Sequence, residues 1–149
     1  MEVFCFASDT TTNIWAGIGA GRWAVNKTSD SDMKSRITKS KRMKVGSFGL
    51  IYCNATQSFT TPFVVFSAPD QALVETNVWN GDWVLPFQIH PLGTPRRQIH
   101  KDEAKKSWRV LIESQNNVSA TMNLTGTTVF VPKEISADDW SLILSALAE

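Results

Sequence analysis

The sequence predicts an α+β domain built on a curled, barrel-like sheet, and three observations predict it. Six or seven short apolar runs of strand length are scattered along the 149 residues. Two or three short helical stretches fall between them without the regular βαβ alternation of a parallel sheet. The closing segment repeats apolar residues at helical spacing. With 42% hydrophobic and 19% charged residues, the chain reads as one globular domain, residues 1–149. A disordered tail, a collagen-like repeat and a coiled coil are all excluded.

Taken in order, Glu2 to Ala7 (EVFCFA) is the first strand, and a polar stretch rich in Ser, Thr and Asp follows it. Asn13 to Val25 carries Gly17, Gly19 and Gly21, which predicts a tight connector or a weak helical turn before a short strand at Trp23 to Val25. These glycines lack the G-x-G-x-x-G spacing of a dinucleotide site. Ser29 to Ser40 is polar and basic, a short helix capped by Asp30 or Ser31 and running through Lys39. Phe48 to Cys53 and Pro62 to Ser67 are apolar runs joined by a polar loop, Asn54 to Thr61, and so predict a hairpin. Trp83 to Ile89 is another strand, in which Pro86 cannot donate to a ladder and demands an edge or a bulge. His100 to Trp108 reads as a basic helix, and Arg109 to Glu113, Met122 to Leu124 and Thr127 to Val131 read as short strands. Ser136 followed by Asp138 and Asp139 starts the last helix, with Trp140, Ile143, Leu144 and Leu147 on its apolar face.

No apolar run approaches the roughly 18 residues of a membrane span, and the amino terminus lacks a basic leader, so a cytoplasmic protein with no membrane partner is expected. Cys5 and Cys53 sit in apolar runs and are expected as reduced core residues; the four Asn-x-Ser/Thr matches are then chance. The net charge of +1 hides a segregation. Arg22 to Lys44 holds eight basic residues against two acidic ones, Arg96 to Arg109 holds six against two, and the remainder is acidic. Such a pattern suits a polyanion-facing side as well as two solvated loops.

Catalysis finds little support. His90, His100 and the two cysteines are dispersed, and there is no P-loop, no G-x-S-x-G and no H-E-x-x-H, so no catalytic residue, metal or cofactor is expected. A nuclease site could be drawn from Asp82, Glu103 and Lys105, as many sequences allow. The six tryptophans are more telling. Trp140 belongs to the core, and Trp108 packs inward equally well. Trp15, Trp23, Trp79 and Trp83 lie beside Gly, Asn or Asp in loops or at strand ends, where large aromatics line sites as readily as they fill cores. Indole walls beside basic residues suit one extruded base, stacked between rings while Lys and Arg hold its phosphates.

Several segments together resemble a known family. They are GRWAVNK (residues 21–27), MKVGSFGLIYC (43–53), FVVFSAP (63–69), WNGDWV (79–84) and the closing V-P-x-x-I-S-x-x-D-W helix (131–140). Across nearly the whole chain this looks like an EVE domain, a member of the PUA-like superfamily that also contains the YTH domains. The resemblance implies a PUA-like curved mixed β-barrel of about six strands flanked by short helices, with a pocket for one flipped modified base. EVE domains resemble readers of modified cytosine or adenine in DNA, often fused to restriction machinery, and YTH domains place methyladenine in an aromatic cage.

Carried onto this chain, the resemblance places Trp23, Trp79 and Trp83 around the base, with Trp15 or Trp23 as the first wall. Asn26, Asn80 and Asp82 are the nearest polar groups, and Phe66 and Ser67 offer an apolar or a polar wall to the modification. Arg22, Lys27, Lys39, Lys41, Arg42, Arg96 and Arg97 are the expected phosphate contacts. The expected function is a non-enzymatic, base-flipping reader of methylated or hydroxymethylated cytosine, or of methyladenine. Its expected partner is DNA, with a nuclease fused to it or alongside it in a modification-dependent restriction system. An RNA-modification reader of YTH type, or an interaction domain whose tryptophans are core, are the alternatives.

Overall fold

The computed structural model describes all residues from Met1 to Glu149. In chain order its elements begin with β1 (Glu2–Ser8), α1 (Thr11–Ala20), β2 (Arg22–Asn26), α2 (Asp30–Ser40), β3 (Phe48–Cys53) and β4 (Ser58–Val65). They continue with β5 (Val74–Glu75), β6 (Trp83–Pro91), β7 (Gln98–His100), α3 (Lys101–Ser107), α4 (Arg109–Ile112), α5 (Val118–Thr121), β8 (Lys133–Glu134) and α6 (Ala137–Leu147). The α+β class and the curved mixed sheet are as expected. The sheet runs β2-β6-β4-β3-β1-β8, with β5 paired to β6 and β7 to β4. Only β1 and β3 run parallel, so their carboxyl ends open on the same side.

Alternation along β1 builds two cores. Phe4 and Phe6 enter one apolar cluster with Ile14, Trp23, Phe63, Phe87 and Phe130, while Val3 and Cys5 face a second cluster with Trp108, Trp140 and Ile143. The first core carries α1 and α2 on its outside and the second carries α3 to α6, so the sheet's centre is buried on both faces. Both cysteines are free and buried, and burial pushes the Cys5 thiol up to about 12.

Several expectations are corrected. The glycine-rich segment is a ten-residue helix because both ends are capped: the Thr10 side chain accepts from the Asn13 N–H, and Gly21 takes the left-handed conformation (φ 65°) with its N–H on the Gly17 and Ile18 carbonyls. Ser29, one residue earlier than expected, caps α2. The polar loop after β3 shrinks because β4 starts at Ser58; the buried Thr60 hydroxyl lies within hydrogen-bond distance of the Thr94 and Arg97 carbonyls, so its polarity is satisfied inside the sheet.

The segment from Arg109 is helical through Ile112, not extended. The buried Asp139 carboxylate accepts from the Arg109 and Val110 N–H groups at 2.8 and 3.0 Å, a cap supplied to α4 by another helix. Met122 to Leu124 and Thr127 to Val131 are not strands either. Asn123 (φ 56°) and Phe130 (φ 64°) reverse the chain, and the reversal drives the Phe130 ring into the first core against Phe6 at 5.5 Å. Pro86 is absorbed by a bulge in an interior strand: β2 and β6 shift register between Trp23 and Val25, and Leu85 beside the proline has φ 54°.

Candidate nucleotide cavity

At the carboxyl ends of the parallel pair, the register Ser8↔Cys53 brings the residues after β1 and β3 together. The Asn54 N–H donates to the Ser8 carbonyl, and Asn54 Nδ2 donates to Asp9 Oδ1 at 3.1 Å. Crevices beyond strand carboxyl ends are favoured ligand sites in open sheets. Here one of about 220 Å³ opens between these residues, β2, the start of α1, the loop before β6, and residues 123–129. That volume lies below the roughly 300–1,000 Å³ of drug-sized pockets and suits one planar ring system.

Three indoles form its wall. Trp23 and Trp79 meet edge to face at 5.5 Å and 78°, and Trp79 and Trp83 at 5.5 Å and 51°. Each is pinned. Trp79 Nε1 donates to the Asn13 carbonyl at 2.9 Å, Trp83 Nε1 donates to the Asn80 carbonyl at 2.8 Å, and Trp23 lies against Gly17, where a Cβ would meet the ring at 2.9 Å. Glycine at 17 is therefore a spatial requirement of the wall. Trp23 and Trp79 are 5% and 7% exposed and belong to the first core, so they are core and wall at once. Trp83 is half-buried.

Of the other expected base-site residues, Asn26 lines the cavity. Trp15, Asp82, Phe66 and Ser67 do not. Trp15 is one position from the inward-facing Ile14 and so points out from α1, 42% exposed. Gly81, with φ 92°, turns the chain so that Asp82 is exposed. Because Val65 faces the core, Phe66 must face away, and its ring stacks on His90 at 5.3 Å. Ser67 Oγ accepts the Gln88 N–H and lines a different groove with Arg22 and Asp70.

Sequence reasoning missed Ser8, Asp9, Asn13, Asn54, Asn123 and Arg36, all in the cavity wall. The available signal was the polar run that directly follows a strand apolar on both faces.

The basic residues do not ring the cavity. Arg22 pairs with the buried Glu75 at 2.8 Å, Arg42 with Glu2, and Arg96 with Glu149, while Arg97 donates to the Ala148 carbonyl at the end of α6. Lys39 Nζ donates to the Thr127 carbonyl at 2.9 Å. Lys27, just past Asn26, and Lys41 are exposed and take part in no ion pair. Charge in the wall itself is limited to Asp9 and Arg36. Asp82 precedes β6 whereas Glu103 and Lys105 lie on α3, and no three His, Cys, Asp or Glu side chains are grouped to hold a metal. No helix is long and apolar enough to cross a membrane.

No family model matches the sequence, and no curated protein does. Solved structures do match, and those most similar include YTH domains. The YTH domain of Zygosaccharomyces rouxii MRB1, crystallised with N6-methyladenosine RNA, superposes with a TM-score of 0.60 at 16% identity, over 97% of this chain and 84% of that one. The Pho92 YTH domain in complex with m6A gives 0.61 at 15% identity, over 97% and 84%. The apo Toxoplasma CPSF4-YTH domain gives 0.57 at 17% identity, over 99% and 88%. At this identity the likeness is one of architecture: the chain has the PUA-like fold of YTH domains.

Proposed function

We propose that this chain is a non-enzymatic reader that captures one methylated nucleobase, in RNA, within the Trp23–Trp79–Trp83 cavity. The observation that carries the reading is the convergence of three indoles from β2, the loop before β6 and β6 itself on a cavity sized for one planar ring system. Its remaining wall carries several side-chain amides and one carboxylate, Asp9. Stacking on an indole is worth roughly 1–3 kcal/mol per base, and a base in single-stranded RNA costs little to extrude. A methylated exocyclic amine keeps one N–H donor beside a ring-nitrogen acceptor. The cavity offers acceptors in Asp9 and Ser8 and donors in the amides of Asn13 and Asn54, whereas the Asn123 amide is engaged by the Val131 and Pro132 carbonyls. A methyl group gains from the apolar indole faces that line the same space.

RNA is preferred over DNA as the substrate because two of the domains that share this fold were crystallised with N6-methyladenosine or its RNA. The test is calorimetric titration with short single strands differing in one central base: adenine or N6-methyladenine in RNA, and the same two plus 5-methylcytosine in DNA. Methylated RNA should bind at least about fourfold more tightly than its unmethylated twin, the worth of burying one methyl group against the indoles. Equal affinity for the two RNAs refutes the reading, and a preference for a modified DNA strand moves the substrate to DNA.

A further inference from the structure

We propose that Arg36 is the phosphate anchor of the cavity, so that the site takes a nucleotide in phosphodiester linkage in preference to a free nucleoside; this deepens, and rests on, the reading of the cavity as a base site. Arg36 comes from α2, outside the cavity's strands, and is the one cationic side chain in the wall. Its Nη1 donates to the Asn26 carbonyl at 2.7 Å and its Nη2 to the Gly126 carbonyl at 3.3 Å, bridging the two sides of the opening. A guanidinium has five N–H donors in a planar fork, so three are left over.

No carboxylate forms an ion pair with Arg36. The other charged group of the wall, Asp9, is engaged by Asn54. Partial burial pulls the Arg36 guanidinium below its ordinary basicity, and Asp32 one turn earlier on α2 opposes that pull only through its field. A half-buried cation held by neutral carbonyls alone carries a desolvation cost that an incoming anion offsets. A latch between two backbone segments would need no such charge, and Lys39 already ties α2 to the same loop through Thr127. When a base enters against the indole wall, its own phosphates must lie at the opening, where Arg36 is fixed. None of the other arginines lines that opening.

The experiment compares N6-methyladenosine with its 3′,5′-bisphosphate by quenching of tryptophan fluorescence, and reads the ratio of the two affinities. A charge-assisted contact predicts a ratio of about tenfold or more for the unaltered protein. In Arg36→Gln the ratio should collapse towards one, whereas Arg36→Lys, which keeps the charge and loses the fork, should hold an intermediate ratio. A ratio that survives intact in Arg36→Gln overturns the assignment, whatever happens to the separate affinities, and makes Arg36 a structural bridge. Should the glutamine variant not fold, the unaltered protein still decides: the ratio must contract as salt is raised, and a salt-independent ratio overturns the proposal. Binding of neither ligand overturns the base-site reading and this inference with it.

Discussion

Replacing Trp83 with alanine separates recognition from folding in a way that replacing its neighbours does not. Trp79 is 7% exposed and packed into the first core, so Trp79→Ala removes a nearly full indole's burial, about 3–5 kcal/mol. Total stability for a domain of this kind is about 5–15 kcal/mol, so any loss of affinity in that variant is confounded by unfolding. Trp83 is half-buried, and its Nε1 hydrogen bond to the Asn80 carbonyl is exposed, where water replaces it. Its truncation should cost about 2 kcal/mol of stability, below the range for a fully buried indole. It removes one face of the cage, worth about 1–3 kcal/mol of stacking, or roughly 5- to 150-fold in Kd. Calorimetry against N6-methyladenine RNA and its unmethylated twin, with a thermal melt in parallel, reads both quantities. The reasoning fails if the variant melts normally and binds methylated RNA as tightly as before. It fails equally if both RNAs weaken by the same factor, because Trp83 would then not be part of what distinguishes them.

Three further outcomes follow from the geometry. Glycine to alanine in a helix ordinarily gains about 0.5–1 kcal/mol, but at position 17 the new Cβ would meet the Arg22 carbonyl and the Trp23 ring, both at 2.9 Å. Gly17→Ala should therefore lower Tm by a few degrees, and a raised Tm would show that the wall yields freely. Asp139→Ala leaves the Arg109 and Val110 N–H groups without their acceptor and should cost about 1–3 kcal/mol in denaturant unfolding. An unchanged midpoint would mean that α4 needs no cap from α6. Finally, the Arg22 hydrogen bond holds the Glu75 carboxyl below the usual carboxylate range against the opposing effect of burial. The folded pKa is thus the lower one, and the bridge stabilises fully above the unfolded value of about 4.3 and is lost as pH falls through the folded value. Glu75→Gln should consequently narrow its stability deficit below about pH 4; a deficit as large at pH 3 as at pH 7 contradicts this.

Legibility varied with the range of the interactions. Elements specified by their own residues were readable: β1 and β3 from dense apolar runs, α6 from Ser136 and its 3.6-residue stripe, and the irregularity in β6 from Pro86. Segments specified by distant partners were misread. The run from Arg109 to Ile112 has strand-like composition, yet a carboxylate thirty residues later caps it as a helix. Thr127 to Val131 looks extended until Phe130 is seen to turn inward to fill the first core.

The site divides in the same way. By itself the sequence determined that indoles are unusually abundant and sit beside polar turn residues, since residue type and local neighbours are written along the chain. Only the tertiary structure decided which of them meet. Parallel pairing of β1 with β3 sets Asp9 beside Asn54, packing against Gly17 turns Trp23 towards Trp79, and alternation across β4 sends Phe66 away from all three. The physical reason is that a side chain's direction follows from the register and helical phase of its element, and these are chosen by burial against residues far away in the chain.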